Sequence, residues 1–152
     1  MTSTGEPDAA DEFALLVADL FELSAELRRA GEVLAASAGE TQARWQLLSV
    51  ASAGDWTVSS AARRLGVSRQ AVQRVADLMV KDGLARYEDN PGHRRSPHVR
   101  LTASGRKALA LITKRSRSWR ARVVEQLPAN DIRRIRQDLN EIRSGMERAE
   151  LR

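Results

Sequence analysis

Cysteine is missing from all 152 residues, so no disulfide can staple the chain and no thiol can serve as nucleophile or redox sensor. Lysine is scarce: of 25 Lys and Arg residues only Lys81, Lys107 and Lys114 are lysine, an arginine bias that a GC-rich genome also produces. Histidine occurs twice, at His93 and His98. No apolar run approaches the length of a membrane span. The N-terminus has no basic segment followed by an apolar core, the mark of a secretory signal. A soluble, cytoplasmic chain is the expectation. The signatures of catalysis are absent too. There is no Gly-rich loop to cradle a phosphate, no zinc-protease helix signature, and no serine or carboxylate spacing that suits a triad or a glycosidase pair. The sequence predicts no enzyme, no catalytic residue and no cofactor, and it holds no internal repeat.

What is present is charge, unevenly spread. The length suits one domain with a real core. The formal net charge is +5, but residues 1–40 hold nine acids and two bases, residues 41–101 ten bases and five acids, and residues 102–152 thirteen bases and six acids. A basic middle fits phosphate binding, which is electrostatic and weakens with salt. Residues 1–10, MTSTGEPDAA, read as a disordered tail.

The stretch from Thr57 to Thr102 is the most informative. Thr57 can cap a helix through its hydroxyl, and Val58, Ala61, Ala62 and Leu65 give that helix an apolar stripe. Gly66 stops it, because glycine enters the left-handed conformation without steric cost. Ser68 is a good N-cap for a second helix that runs to about Asp82 and closes on Gly83. Val72, Val75, Ala76 and Met79 share one side of it; Gln70, Gln73, Arg74, Asp77 and Lys81 share the other. The polar side near its start carries Arg69, Gln70, Gln73 and Arg74, types that pair bidentately with guanine or adenine edges in a major groove. Two helices about a short Gly turn match a helix-turn-helix. An ordinary helical hairpin with a solvated face has the same local pattern.

The following residues separate the two readings. Residues 84–88 and 97–101 read as short strands, and Asp89-Asn90-Pro91-Gly92 between them is strong turn chemistry. The loop presents His93, Arg94 and Arg95 at an exposed tip, which suits a narrow minor groove. Helix-turn-helix followed by a wing is a specific combination, and a solvated loop with incidental charge is the weaker alternative. A metal site built from His93 and His98 with Glu88 or Asp89 would have few ligands, so these read as solvated wing residues and no metal is expected.

At these residues the chain resembles the MarR family of bacterial winged-helix transcriptional regulators. The resemblance rests on TQARW at 41–45, ARRLGVSRQAV at 62–72, KDGL at 81–84 and DNPGHRRSPHVRLT at 89–102, and extends from about Phe13 to Met146. It implies that the helix from Ser68 is the recognition helix and that Arg94 and Arg95 are the wing arginines. The candidate DNA contacts are then Ser68, Arg69, Gln70, Gln73, Arg74, Arg94 and Arg95. The family often has Asp just before the wing arginines, where an acid can brace one of them. This chain has His93, which puts the wing geometry in question.

The flanks carry helical periodicity. Phe13, Leu16, Leu20, Leu23, Leu27, Ala30 and Leu34 recur at three- and four-residue steps between about Glu12 and Ala36. Leu109, Ile112, Ser116, Trp119, Val123 and Gln126 follow the rhythm from Ser104 to Leu127, where Pro128 breaks it. Ile132, Ile135, Leu139, Ile142 and Met146 resume it from Asp131. That is more apolar stripe than one small winged domain covers. The stripes pack either within a monomer or, as the resemblance implies and paired half-sites require, with a second subunit.

The expectation is a mainly α fold with a small β-wing: a disordered tail over 1–10, then a single MarR-type domain over 11–149. In it a winged helix-turn-helix spans about 41–102, and dimerisation helices span about 12–38 and 103–149. The expected function is a homodimeric, sequence-specific repressor on an inverted repeat of double-stranded DNA. An architectural or protein-docking winged helix without sequence preference is the alternative, and Gln70 and Gln73 favour the specific reader. The resemblance also implies release by a small aromatic effector, with Phe21, Trp45 and Trp119 as the candidate lining; the same residues also read as core aromatics.

Overall fold

The computed structural model describes residues 8–93 and 95–149. The chain divides into two compact units, Met1–Arg115 and Ser116–Arg152.

The first unit opens with helix α1, Ala9–Ala36. It starts three residues before the expected Glu12, so Ala9 and Ala10 are helical rather than part of a tail; residues 1–7 of that expected tail lie outside the described residues. The cause is local. The Asp8 side chain accepts from the Ala10 N–H, and Asp11 and Glu12 stand in the first turn, where the helix dipole favours negative charge. Helix α2, Gln42–Ser52, is capped by Thr41, whose hydroxyl accepts from the Arg44 N–H. It runs through the centre of the core, where Leu47 and Leu48 are buried together with Val50 and Ala51. Truncating either leucine to alanine removes about 2–5 kcal/mol of stability. Arg44 pairs with Glu40 at 3.1 Å and with Asp82, tying the start of α2 to the end of helix α4 (Arg69–Lys81).

Helix α3, Val58–Leu65, forms as its sequence predicts. Thr57 and Ser60 make a reciprocal capping box, Val58, Ala61 and Ala62 face the core, and Gly66 closes the helix at φ 65°. Ser68 caps α4 by accepting from the Ala71 N–H at 3.1 Å. Helix α4 buries Val72, Ala76 and Met79, while Val75 is half-buried. Its end is sealed by Gly83 at φ 73° and by the Leu84 N–H donating to the Met79 carbonyl at 2.8 Å, a 6→1 bond typical of a left-handed helix stop.

Strands β1, Ala85–Glu88, and β2, His98–Leu101, pair antiparallel from Ala85 opposite Leu101 to Glu88 opposite His98. Each starts one residue after the expected position. A third segment joins them: Thr57 bridges to His98, and the Val99 N–H donates to the Trp56 carbonyl at 2.6 Å. The wing is thereby hydrogen-bonded to the residues that cap α3. Thr102 then turns the chain into helix α5, Ala103–Val123: its N–H donates to the Leu84 carbonyl, its hydroxyl donates to the Gly83 carbonyl, and that oxygen accepts from the Gly105 N–H. Val99 and Ile112 complete the buried set around α2.

In the second unit, α5 ends at Val123, short of the expected Leu127, and residues 124–126 form a turn. Helix α6 runs Ala129–Arg148 directly after Pro128, two residues before the expected Asp131. Ser116 is buried, whereas none of the 20 residues of α6 is.

Candidate nucleic-acid interface

The first turn of α4 is a polar, outward face. Ser68, Arg69, Gln70 and Arg74 are all exposed, because Val72, Ala76 and Met79 turn the opposite face inward. No acid stands in that turn. The positive end of the helix dipole therefore adds to the arginines rather than opposing them, a combination that favours phosphate.

Gln73, one turn further along, is different. It is half-buried, and its amide nitrogen donates to Asp77 Oδ1 at 2.9 Å and to the Tyr87 hydroxyl at 2.8 Å. The same hydroxyl donates to Asp77 Oδ1 at 2.5 Å. Tyr87 projects from β1, so this triangle joins α4 to the wing. Burial, and then the hydrogen bond to Asp77, push the Tyr87 phenol up to about 12. The bonds from Tyr87 and Gln73 hold the Asp77 carboxyl below its usual range. The sequence placed Gln73 with the solvent-facing residues by helical angle alone; its side chain instead leans back onto β1.

Of the wing arginines, Arg95 is exposed and Arg94 lies outside the described residues. Without an acid at position 93, the loop is held by its own turns. The His93 N–H donates to the Asn90 carbonyl at 2.9 Å, the Ser96 N–H to the His93 carbonyl at 2.8 Å, and Asn90 Nδ2 to the Ser96 carbonyl at 3.0 Å. Lower down, Arg100 pairs with Asp55 and donates through Nε to Glu88 at 2.9 Å, which braces β2 against β1 and against the residues before α3. Both acids favour the charged guanidinium, Asp55 the more strongly.

Sequence reasoning also missed a cleft. Between the start of α3 and the wing lies an open cleft of about 550 Å³ lined by Ser59, Ser60, Arg63, His93 and Arg95, among others. Arg63 was legible only as a helix arginine; its placement beside Arg95 depends on how the wing returns to α3.

The remaining candidates stand on separate elements. Phe21 is 74% exposed on α1, and Trp45 is partly buried against the core of the first unit. Trp119 is partly buried in the second unit. His93 is exposed; His98 is half-buried in β2, with Nδ1 buried and unpartnered. Among the described residues no three His, Asp or Glu side chains converge as metal ligands, and no helix is long and apolar enough to cross a membrane.

This geometry has clear counterparts. A MarR family model matches residues 41–96. An uncharacterized protein of Mycobacterium tuberculosis is 60% identical over 107 residues, 70% of this chain and 75% of the relative. Among solved structures, the M. tuberculosis transcriptional regulator MOSR in complex with DNA is similar over 89% of this chain and 98% of its own, at 27% identity and a TM-score of 0.72. CouR from Rhodococcus jostii bound to p-coumaroyl-CoA shares the fold over 90% of this chain and 95% of its own, at 17% identity and a TM-score of 0.75. The helix-turn-helix, its wing and these likenesses agree: the chain belongs to the MarR family of winged-helix, DNA-binding transcription regulators.

Proposed function

We propose that this protein is a homodimeric, sequence-specific repressor of the cytoplasm. Each subunit sets the start of α4 in a major groove and the Arg94–Arg95 loop in the neighbouring minor groove. The observation that carries the reading is the joint exposure of Ser68, Arg69, Gln70 and Arg74 at one helix start, with Arg95 in the wing that follows. Arginine and glutamine there can address base edges, whereas a non-specific coating surface needs only cations on phosphates. Residues of about 41–102 serve as the reader within a MarR-type chain of 11–149.

Dimerisation is supported by what the flanking helices leave uncovered. In α6, Ile135, Leu139 and Met146 are exposed, and in α1, Phe13, Leu23 and Leu27 are exposed. Helices in water draw most of their stability from packing an apolar face, so these residues of about 12–38 and 103–149 call for a second subunit. Two-fold symmetry then sets the half-sites about one helical turn apart on an inverted repeat.

The test is a footprint across the DNA upstream of the protein's own gene. Protection confined to an inverted repeat, tightening as salt falls, is the expected result; uniform coating of any duplex overturns it in favour of an architectural role.

A small aromatic effector, lined by Phe21, Trp45 and Trp119, completes the reading. The partial burial of both tryptophans and the acyl-CoA held by CouR support it. Aromatic acids and their CoA thioesters are expected to quench tryptophan emission and loosen DNA together, and Trp45→Phe to reduce both responses. Compounds that do neither remove the effector from the proposal.

A further inference from the structure

The arginines that brace the first unit are each neutralised by two acids. Arg44 lies between Glu40 and Asp82, and Arg100 between Asp55 and Glu88. Arg63 and Arg95 differ: among the described residues neither has a carboxylate partner. They nevertheless line one cleft of about 550 Å³ with Ser59, Ser60 and His93, and no carboxylate lines it. Two like charges in one concavity repel, and its walls focus the positive potential that they create. The first turn of α3 holds no acid to offset it. The shape is set before anything binds. The Thr57–His98 bridge and the Val99–Trp56 hydrogen bond pin the cap of α3 to the base of the wing. Bonds among Asn90, His93 and Ser96 hold the loop. Every side chain that lines the cleft is polar, a lining that suits an oxyanion rather than an aromatic body. Guanidinium groups grip such oxygens through paired N–H donors.

We propose that this cleft is an oxyanion site with Arg63 as its principal ligand, and that a free phosphate-type anion and a phosphodiester of the duplex occupy it by turns. The inference rests on the proposed docking of α4 and the wing in neighbouring grooves. The helix that precedes a recognition helix crosses the sugar–phosphate backbone, so the duplex brings a phosphate to the start of α3. A backbone contact alone needs no deep concavity. A cleft of this size falls instead in the range of small-ligand sites, about 300–1,000 Å³. An anion already seated there holds the guanidinium groups that the backbone phosphate needs. A small molecule carrying a phosphate group thus loosens DNA without touching Phe21, Trp45 or Trp119.

The experiment has two arms, both run on the full chain and on Arg63→Ala. Without DNA, amide NMR follows titration with sodium phosphate against sodium chloride at equal sodium concentration. Phosphate is expected to move the Ser59, His93 and Ser96 amides of the wild type saturably and to leave those of Arg63→Ala in place. With DNA, affinity is measured for half-site duplexes carrying one neutral methylphosphonate at each backbone position in turn. One position is expected to cost the wild type about fivefold or more and Arg63→Ala almost nothing. Phosphate at twice the Kd read without DNA should weaken wild-type binding to an unmodified half-site about threefold beyond chloride. Arg63→Ala should respond to the two salts alike. Arg63 is exposed, so its loss leaves the core intact; Arg63→Gln serves if the alanine variant folds poorly. Absence of a saturable shift at the cleft, or shifts that persist in Arg63→Ala, overturns the oxyanion site. A cleft that takes phosphate while no methylphosphonate position couples to Arg63, or while phosphate fails to displace the duplex, overturns the exchange with DNA. If the wild type binds scrambled half-sites as tightly as cognate ones, the sequence-specific reading falls, and the DNA-free arm still decides the cleft.

Discussion

Arg69, Gln70 and Arg74 leave the first turns of α4 exposed, whereas Gln73 is half-buried and bonded to its neighbours. Gln70 therefore carries the purest test of base reading. Gln70→Ala is expected to cost about 1–3 kcal/mol on the cognate duplex and almost nothing on scrambled DNA, since glutamine gains little from phosphates. Arg95→Ala, in the wing, should instead weaken both duplexes and reduce the slope of log affinity against log salt by about one unit. Titration of both variants on both duplexes at several salt concentrations decides it; equal losses for Gln70→Ala on the two would place the reading face elsewhere. Tyr87 is the only tyrosine in the chain, so phenolate absorbance reports it alone. Its folded ionisation is expected at about 12, returning to the ordinary 10.0 in denaturant. The sign follows: the neutral phenol is the favoured form, so its contribution to stability is complete below pH 10 and disappears as pH rises through the folded value. Asp77 works at the other end, with a lowered pKa whose contribution is complete above the ordinary 3.8 and is lost as pH falls below it. An ionisation near 10 in the native protein would dissolve the Gln73–Asp77–Tyr87 triangle.

Among the elements, those with local causes were legible in the sequence. Thr57 and Ser68 cap the helices they were expected to cap, Gly66 and Gly83 end them, and the Asp89–Gly92 turn lies between two strands. The misses share the opposite property. The Trp56–Val99 and Thr57–His98 pairings, the Tyr87–Gln73 bond and the Arg63–Arg95 cleft join residues far apart in sequence, and no periodicity encodes them. Gly105 belongs with these. It sits in the first turn of α5 directly over the end of α4, and a Cβ built there would lie 2.0 Å from the Leu84 carbonyl oxygen and 3.0 Å from its carbon. Backbone cannot swing aside as a side chain can, and that same carbonyl accepts the Thr102 N–H that starts α5. Gly105→Ala is therefore expected to destabilise by about 1–3 kcal/mol or more, even though alanine is intrinsically the better helix former by about 1 kcal/mol. Thermal melting reads this directly, and an unchanged or raised midpoint would show that α5 does not seat against Leu84.

At the scale of the whole molecule, the charge segregation and the exposed apolar faces both support the proposed dimer. Residues 1–40 are acidic and residues 102–152 basic, so two chains related by two-fold symmetry can set opposite charges together. Surface pairs of this kind contribute little to stability and more to register. The affinity has to come from apolar residues, and α6 presents Ile135, Leu139 and Met146 with 47%, 37% and 64% of their surface exposed. The protein is expected to sediment at about twice its 16.8 kDa chain mass. Leu139→Glu puts a charge where an apolar contact is needed, and it should shift the protein toward monomer without altering the fold of residues 41–102, which Leu139 lies outside. A monomer holds one half-site at a time and forfeits the gain from linking two, a factor of about 100 or more. Affinity for the inverted repeat should then fall toward that for a single half-site, while affinity for one isolated half-site barely changes. Sedimentation paired with titration on full and half sites checks both statements together. A Leu139→Glu variant that stays dimeric, or a monomer that binds the full repeat as tightly as the wild type, would remove α6 from the dimer interface.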